Sequence, residues 1–120
     1  MQRRPGKNGL MAIDELTVRA VARWCADQVP ERARQQFYWE PKVRANAVTI
    51  VERRAPWDGS DAEWTARPIG QLRHDPARRS WTLYWPDRHQ RWHLVTDVPP
   101  AGDVAVLLRE IATNPRGIFG

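Results

Sequence analysis

"WTLYWPDRHQRWHLV" (residues 81–95) is the stretch whose reading decides the fold: three tryptophans, a tyrosine, two histidines and two arginines fall in fifteen positions. Strand geometry sends successive side chains to opposite faces. Trp81, Leu83 and Trp85 therefore share one face and Thr82 and Tyr84 the other, while in "RWHL" Trp92 and Leu94 alternate with Arg91 and His93. A turn centred on Arg88 and His89 sets Trp85 opposite Trp92, Leu83 opposite Leu94 and His93 opposite Tyr84. A slip of one residue sets Trp85 opposite His93 instead, and the apolar pattern selects the first register. Three exposed tryptophans present roughly 450–750 Å², against about 300–600 Å² for the largest apolar patch of an ordinary monomer. Trp81, Trp85 and Trp92 are thus expected in the core, and any binding role moves to the opposite face.

Working outward, "PIGQLRH" is a strand, and "DPAR" is a turn with proline at its second position, the place a type I turn favours. Leu72 then falls opposite Trp81. "FYWEPKV" and "AVTIVERR" read as a hairpin closed by Ala45 and Asn46, with Asn46 tolerating positive φ and Val43 opposite Val48. Pro41 suits an edge strand. "APWDGSDAEWTA" is a loop carrying Trp57, Trp64 and three acids. From Ala12 to Val29 the residues Ile13, Leu16, Ala20, Val21, Trp24 and Cys25 recur at helical spacing, with Asp14 and Glu15 favouring the dipole at the start. Pro30 ends that helix, and "ERARQQ" adds one more turn. A second helix carries Val104, Leu107, Leu108 and Ile111, with Asp103 near its start, and Phe119 tucks against the body. The fold expected is α+β, an antiparallel sheet of about five strands flanked by an N-terminal and a C-terminal helix. Residues 1–11 are expected to form a basic disordered tail and 12–120 a single domain.

A chain of 120 residues buries enough surface for one core. Its single cysteine allows no internal disulfide and points to a reducing compartment, so a cytoplasmic location is expected. No apolar run approaches the ~20 residues of a membrane span. The net charge of +5 is local. Arg3, Arg4 and Lys7 give the tail +3, and Arg67 to His93 holds six arginines against Asp75 and Asp87, leaving the remainder slightly acidic. Such a footprint suits nucleic acid or an acidic partner, although arginines that merely solvate a surface produce the same count.

Catalytic patterns are weak. His74, His89 and His93 supply three imidazoles, but a turn and a strand do not give the helical i, i+4 zinc geometry. Cys25 follows Trp24 beside an apolar helical stripe, a core setting rather than an activated one. Ser60 and Ser80 lack a nucleophile elbow. Asp58, Asp61 and Glu63 do not match a calcium loop. No glycine-rich phosphate loop is present, and no cofactor or metal is expected. The leading expectation is a non-catalytic binding module that contacts nucleic acid or a nucleoprotein assembly through Arg73, Arg78, Arg79, Tyr84, Arg88, Arg91 and His93. One alternative is a protein-interaction or regulatory module using the Trp57–Trp64 loop or an exposed edge strand; another is a small-ligand binder or enzyme.

"VTIVERRAPW", "RHDPARRSWTLYWPDRHQRWH" and the terminal "NPRGIFG" together resemble a small bacterial family known as a domain of unknown function, number three-zero-two-four. The resemblance runs from about Leu16 to Gly120. It implies a short helix, a run of strands with a W-x-L-Y-W…D-R…R-W-H hairpin, and a tail of the form D-P-x-G-I-F-W-G. Asn114 stands where that tail has its acid, and no tryptophan lies between Phe119 and Gly120. The family carries no assigned activity.

Overall fold

The computed structural model describes residues 13–115 and 117–119. The expected disordered tail, with Arg3, Arg4 and Lys7, lies outside the described residues. Helix α1 (Glu15–Asp27) starts where Asp14 accepts a hydrogen bond from the Thr17 N–H at 2.7 Å. That bond satisfies one of the orphan donors of the first turn. Pro30 follows the helix, and Glu31–Ala33 adds a 3-10 turn. Five strands come next: β1 (Phe37–Arg44), β2 (Ala47–Arg54), β3 (Thr65–Asp75), β4 (Ser80–Pro86) and β5 (Trp92–Leu94). Helix α2 (Val104–Thr113) closes the order, with the Asp103 carboxylate accepting from the Ala105 N–H at 2.9 Å.

The strands form one antiparallel sheet in the order β1-β2-β3-β4-β5, so the α+β class and the strand number stand as expected. Val43 pairs with Val48, and β1, with Pro41, is an edge strand. The left-handed residue of that hairpin is Ala45 (φ 52°), not Asn46. Both helices pack on the face carrying Val48, Ile50, Leu72, Leu83 and Trp81, where Val21, Cys25, Leu107 and Ile111 complete the core. Gly70 belongs on this face for a steric reason. A Cβ there would lie 3.2 Å from Ile111 Cδ1 and 3.3 Å from Phe119 Cδ1. The bareness of Gly70 lets α2 and the tail approach the sheet. Phe119 is buried as expected, and its N–H donates to Asn114 Oδ1 at 3.1 Å. Asn114 itself takes the left-handed conformation (φ 44°) that ends α2, a common way to close a helix.

Two registers differ from expectation. Leu72 pairs with Leu83, and His74, not Leu72, sits opposite Trp81. The β3–β4 loop is four residues long, because Asp75 still pairs with Ser80 while its carboxylate accepts from the N–H groups of Ala77 and Arg78. A slip of two keeps every side chain on its face, so the core is unaffected.

The β4–β5 slip is of one residue. Trp85 pairs with His93, Tyr84 with Leu94 and Pro86 with Trp92. A two-residue hairpin needs positive φ at one or both of its residues, which glycine and asparagine supply, and Arg88 and His89 are neither. A three-residue loop needs only one left-handed residue. Here that residue is Gln90, with φ 62°. The Gln90 N–H donates to the Asp87 carbonyl at 2.8 Å, and the Asp87 N–H to the Arg91 carbonyl at 2.9 Å. The Asp87 carboxylate accepts from the N–H groups of His89 (2.8 Å) and Arg91 (3.0 Å), holding the loop from within. This odd loop turns Trp92 and Leu94 away from the core and His93 toward it. Trp81 is buried, Trp85 packs partly buried against the core, and Trp92 is only half-buried on the other face.

Candidate functional site

With both helices on one face, the other face of the sheet carries Thr49 from β2, Gln71 and Arg73 from β3, Thr82 and Tyr84 from β4, and Leu94 from β5, as the pairings place them. Among the described residues no helix covers it. Period-two alternation is what delivers these polar and aromatic groups there together.

A chain of contacts fixes the arginine at its centre. Thr49 Oγ1 accepts from Gln71 Nε2 at 2.9 Å, and Gln71 Oε1 accepts from Arg73 Nε at 2.6 Å. The Arg73 guanidinium lies 3.8 Å from the centroid of the Tyr84 ring. A guanidinium pinned in this way is a flat cationic platform whose remaining donors are held with little rotamer freedom left to lose. Arg73, Arg78, Ser80, Thr82, Tyr84 and Pro100 line a groove of about 330 Å³ here. Arg78 reaches Asp75 at 3.9 Å, a loose and exposed pair that leaves most of its charge available.

Of the seven residues expected to share the site, Arg73 and Tyr84 are in contact, and Arg78 and Arg79 sit at the turn beside them. Arg88 and Arg91 lie at the opposite end of β4, which is seven residues long. At roughly 3.3 Å per strand residue, the two turns are about 23 Å apart. His93 leaves the face altogether. It stacks on Trp85 with ring centroids 4.8 Å apart, and its Nε2 lies 2.8 Å from Asp87 Oδ2. Hydrogen bonds from His93 and the Arg91 backbone hold the Asp87 carboxyl down at a pKa of about 2, because they favour its charged form. The pairing of His93 with Tyr84 is therefore replaced by that of Leu94 with Tyr84. The loop sequence contained the missed signal: Asp87 followed by two residues unsuited to a primed turn.

The other candidate groups are dispersed. His74 stacks on Trp81 with centroids 4.6 Å apart, and its buried Nδ1 has no partner among the described residues. It pairs four β4 positions away from the Trp85–His93 pair, a separation of about 13 Å along the strand. Among the described residues no three His, Cys, Asp or Glu side chains converge as metal ligands. Cys25 is buried, and burial, with Glu40 nearby, pushes its thiol up to about 12, since both disfavour the thiolate. Labelling of Cys25 by a thiol reagent at pH 8 is accordingly expected to run on the order of 10³-fold slower in the native chain than in urea. Labelling at the unfolded rate would show that the helix opens around it. Cys25→Ser should also leave binding at the sheet face intact.

The acidic loop between β2 and β3 lies at the β1 side of the sheet. Trp64 packs on Tyr38 with centroids 5.5 Å apart, whereas Trp57 is 96% exposed. On the core side, near the end of the sheet, Glu52 is 5% exposed and accepts from Trp39 Nε1 (3.1 Å), Arg54 Nε (3.0 Å) and Arg67 Nη2 (3.3 Å). Glu52 was not singled out in the sequence; its alternation with Val48 and Ile50 is the signal that puts it on the buried face, but it does not reveal that three donors meet there.

No helix among the described residues is long and apolar enough to cross a membrane. No curated protein and no solved structure matches the chain. The Trp81–Val95 hairpin, held by Asp87, and the tail that seats Phe119 under Gly70 both fall within residues 11–120. That span is matched by the family model described as Domain of unknown function (DUF3024), and the chain belongs to that family.

Proposed function

We propose that this chain is a non-catalytic module that binds single-stranded nucleic acid, free or within a nucleoprotein assembly, across the helix-free face of its sheet. The observation that carries this reading is the Arg73–Tyr84 stack, pinned by Gln71 and Thr49 in a groove that Arg78 also lines. Sheet faces bind single strands by stacking bases on flat side chains while cations meet the phosphates. A flat face admits splayed bases more readily than the convex wall of a duplex. Arg88 and Arg91 reach only the distal phosphates of a longer strand, and His93 takes no part. A cytoplasmic setting belongs to the same reading, since it keeps the lone Cys25 reduced.

Titration with labelled single-stranded RNA, single-stranded DNA and duplex DNA at ~50 mM salt tests it. Micromolar binding is expected for single strands, with a log–log salt slope near −2 for about three neutralised phosphates. Tyr84→Ala should weaken it by about 1–3 kcal/mol, the usual range for a stacked base. No binding to any strand at tens of micromolar protein would overturn the proposal.

A second reading rests on Trp57, whose near-complete exposure beside Asp58 and Asp61 suits the anchor of a protein interface. A salt-insensitive protein complex that is lost on Trp57→Ala would favour it.

A further inference from the structure

At the end of the sheet where β3 begins and β4 ends, Arg67, Pro68, Pro86, Asp87, Arg88, Gln90 and Ile118 enclose a cleft of about 220 Å³. We infer that this cleft is a binding site for a small phosphate-type oxyanion, separate from the groove at Tyr84. The inference does not rest on the nucleic-acid reading, because none of the residues lining the cleft lines the groove at Tyr84.

Two arginines from different elements line it, Arg67 from β3 and Arg88 from the β4–β5 loop. Arg88 has no hydrogen-bond or ion-pair partner among the described residues. Arg67 gives one nitrogen, Nη2, to Glu52 at 3.3 Å, and the rest of its five-donor fork remains available. Glu52 does not neutralise it fully, since Arg54 and Trp39 share the same carboxylate.

The one acid in the wall, Asp87, is already committed. Its Oδ1 takes the N–H groups of His89 and Arg91, and its Oδ2 lies 2.8 Å from His93 Nε2. Its oxygens are taken up in holding the loop, so it forms no ion pair with Arg88, but it stays ionised and its charge offsets part of the positive field in the cleft. The left-handed backbone at Gln90 brings that residue into the cleft wall, where its amide is an additional donor. Pro68, Pro86 and Ile118 supply an apolar floor that displaces water and strengthens the charge–ligand contact.

Size sets the ligand class. The volume lies below the ~300–1,000 Å³ of sites that enclose drug-sized molecules, which leaves a small anion. Charge sets it further. With Asp87 in the wall, a monoanion gains little, whereas a phosphate carries close to two charges and enough oxygens to engage both forks.

The test measures thermal unfolding in inorganic phosphate against chloride at matched ionic strength. For a dissociation constant near ~1 mM, about 50 mM phosphate should raise Tm by about 9 °C. Arg88→Gln, an exposed loop change that leaves the core untouched, should abolish that shift, and Arg23→Gln on the exposed side of α1 should retain it. Calorimetric titration of phosphate into both variants should give the same order. An equal phosphate shift in Arg88→Gln and the parent would overturn the site. A larger shift with malonate than with phosphate would overturn the ligand class. Strand binding is read in a separate titration with labelled oligonucleotide, so failure of either reading leaves the other standing.

Discussion

Trp81→Ala is expected to destabilise the chain by about 3–5 kcal/mol, the range for truncating a buried tryptophan. The residue is 5% exposed and belongs to the core cluster that the sheet and both helices share. It also stacks on His74, and its backbone bonds to Ala101 in both directions, at 2.7 and 2.9 Å. Removing the indole leaves a cavity on a strand braced from both sides, which resists collapse. For a domain of this size the change should lower Tm by about 10 °C or more. Trp57→Ala, on an exposed loop, should move stability by no more than about 0.5 kcal/mol. Trp92→Ala should fall between the two, because the odd loop puts this ring half-exposed on the open face. Urea denaturation of the three variants checks the order. A cost for Trp92→Ala equal to that of Trp81→Ala would restore the even-loop register and remove the structural basis for an open binding face.

Glu52→Gln is the second large effect, at about 2–3 kcal/mol. An amide keeps the shape but loses the charge that three donors share, and hydrogen bonds to charged groups contribute about 1.5–3 kcal/mol. The cost stays below the ~3–5 kcal/mol of a fully buried broken pair. Arg54 and Arg67 are 57% and 52% exposed, and both rehydrate. Burial alone would raise the Glu52 carboxyl, but hydrogen bonds from Trp39, Arg54 and Arg67 outweigh it and hold it below the ordinary value of 4.5, each favouring the ionised form. A group whose pKa is depressed by folding contributes stability above its unfolded pKa and loses it as pH falls through the folded value. The parent's advantage over Glu52→Gln should therefore be complete at pH 7 and shrink below about pH 4.5. Denaturation midpoints of both proteins between pH 7 and pH 3 measure it. An advantage that persists unchanged at pH 3 would mean that the Glu52 charge does not stabilise the fold.

Much of the architecture was legible in the residues because it is local. Helical spacing from Ile13 to Cys25 and from Val104 to Ile111 marked both helices, and alternation in "WTLYW" assigned Trp81 and Leu83 inward and Tyr84 outward. Asp14 and Asp103 were read near helix starts through their effect on the dipole, and the structure makes both of them N-caps. The Val43–Val48 pairing followed from a short loop between two clear strands. Of the candidate site, the outward face shared by Arg73 and Tyr84 was legible, but their contact was not: with Leu72 opposite Trp81, Arg73 falls opposite Ser80, and the observed register moves it opposite Thr82, beside Tyr84.

What only the tertiary structure decided depends on loop geometry and on meetings between distant strands. Apolar alternation in "RWHL" put Trp92 inward, but a single left-handed residue at Gln90, secured by the Asp87 carboxylate, reverses that strand's two faces. A period-two pattern specifies that faces alternate, and the loop specifies which face is which. The arginines between positions 67 and 91 looked like one basic surface in the chain. Antiparallel pairing sends its two turns to opposite ends of β4, which splits them into the groove at Tyr84 and the cleft at Arg88. Glu52, Arg67 and Trp39 come from three strands, and Gly70 makes sense only beside Ile111 and Phe119. Such contacts are set by register and packing across the sheet, which no local period encodes.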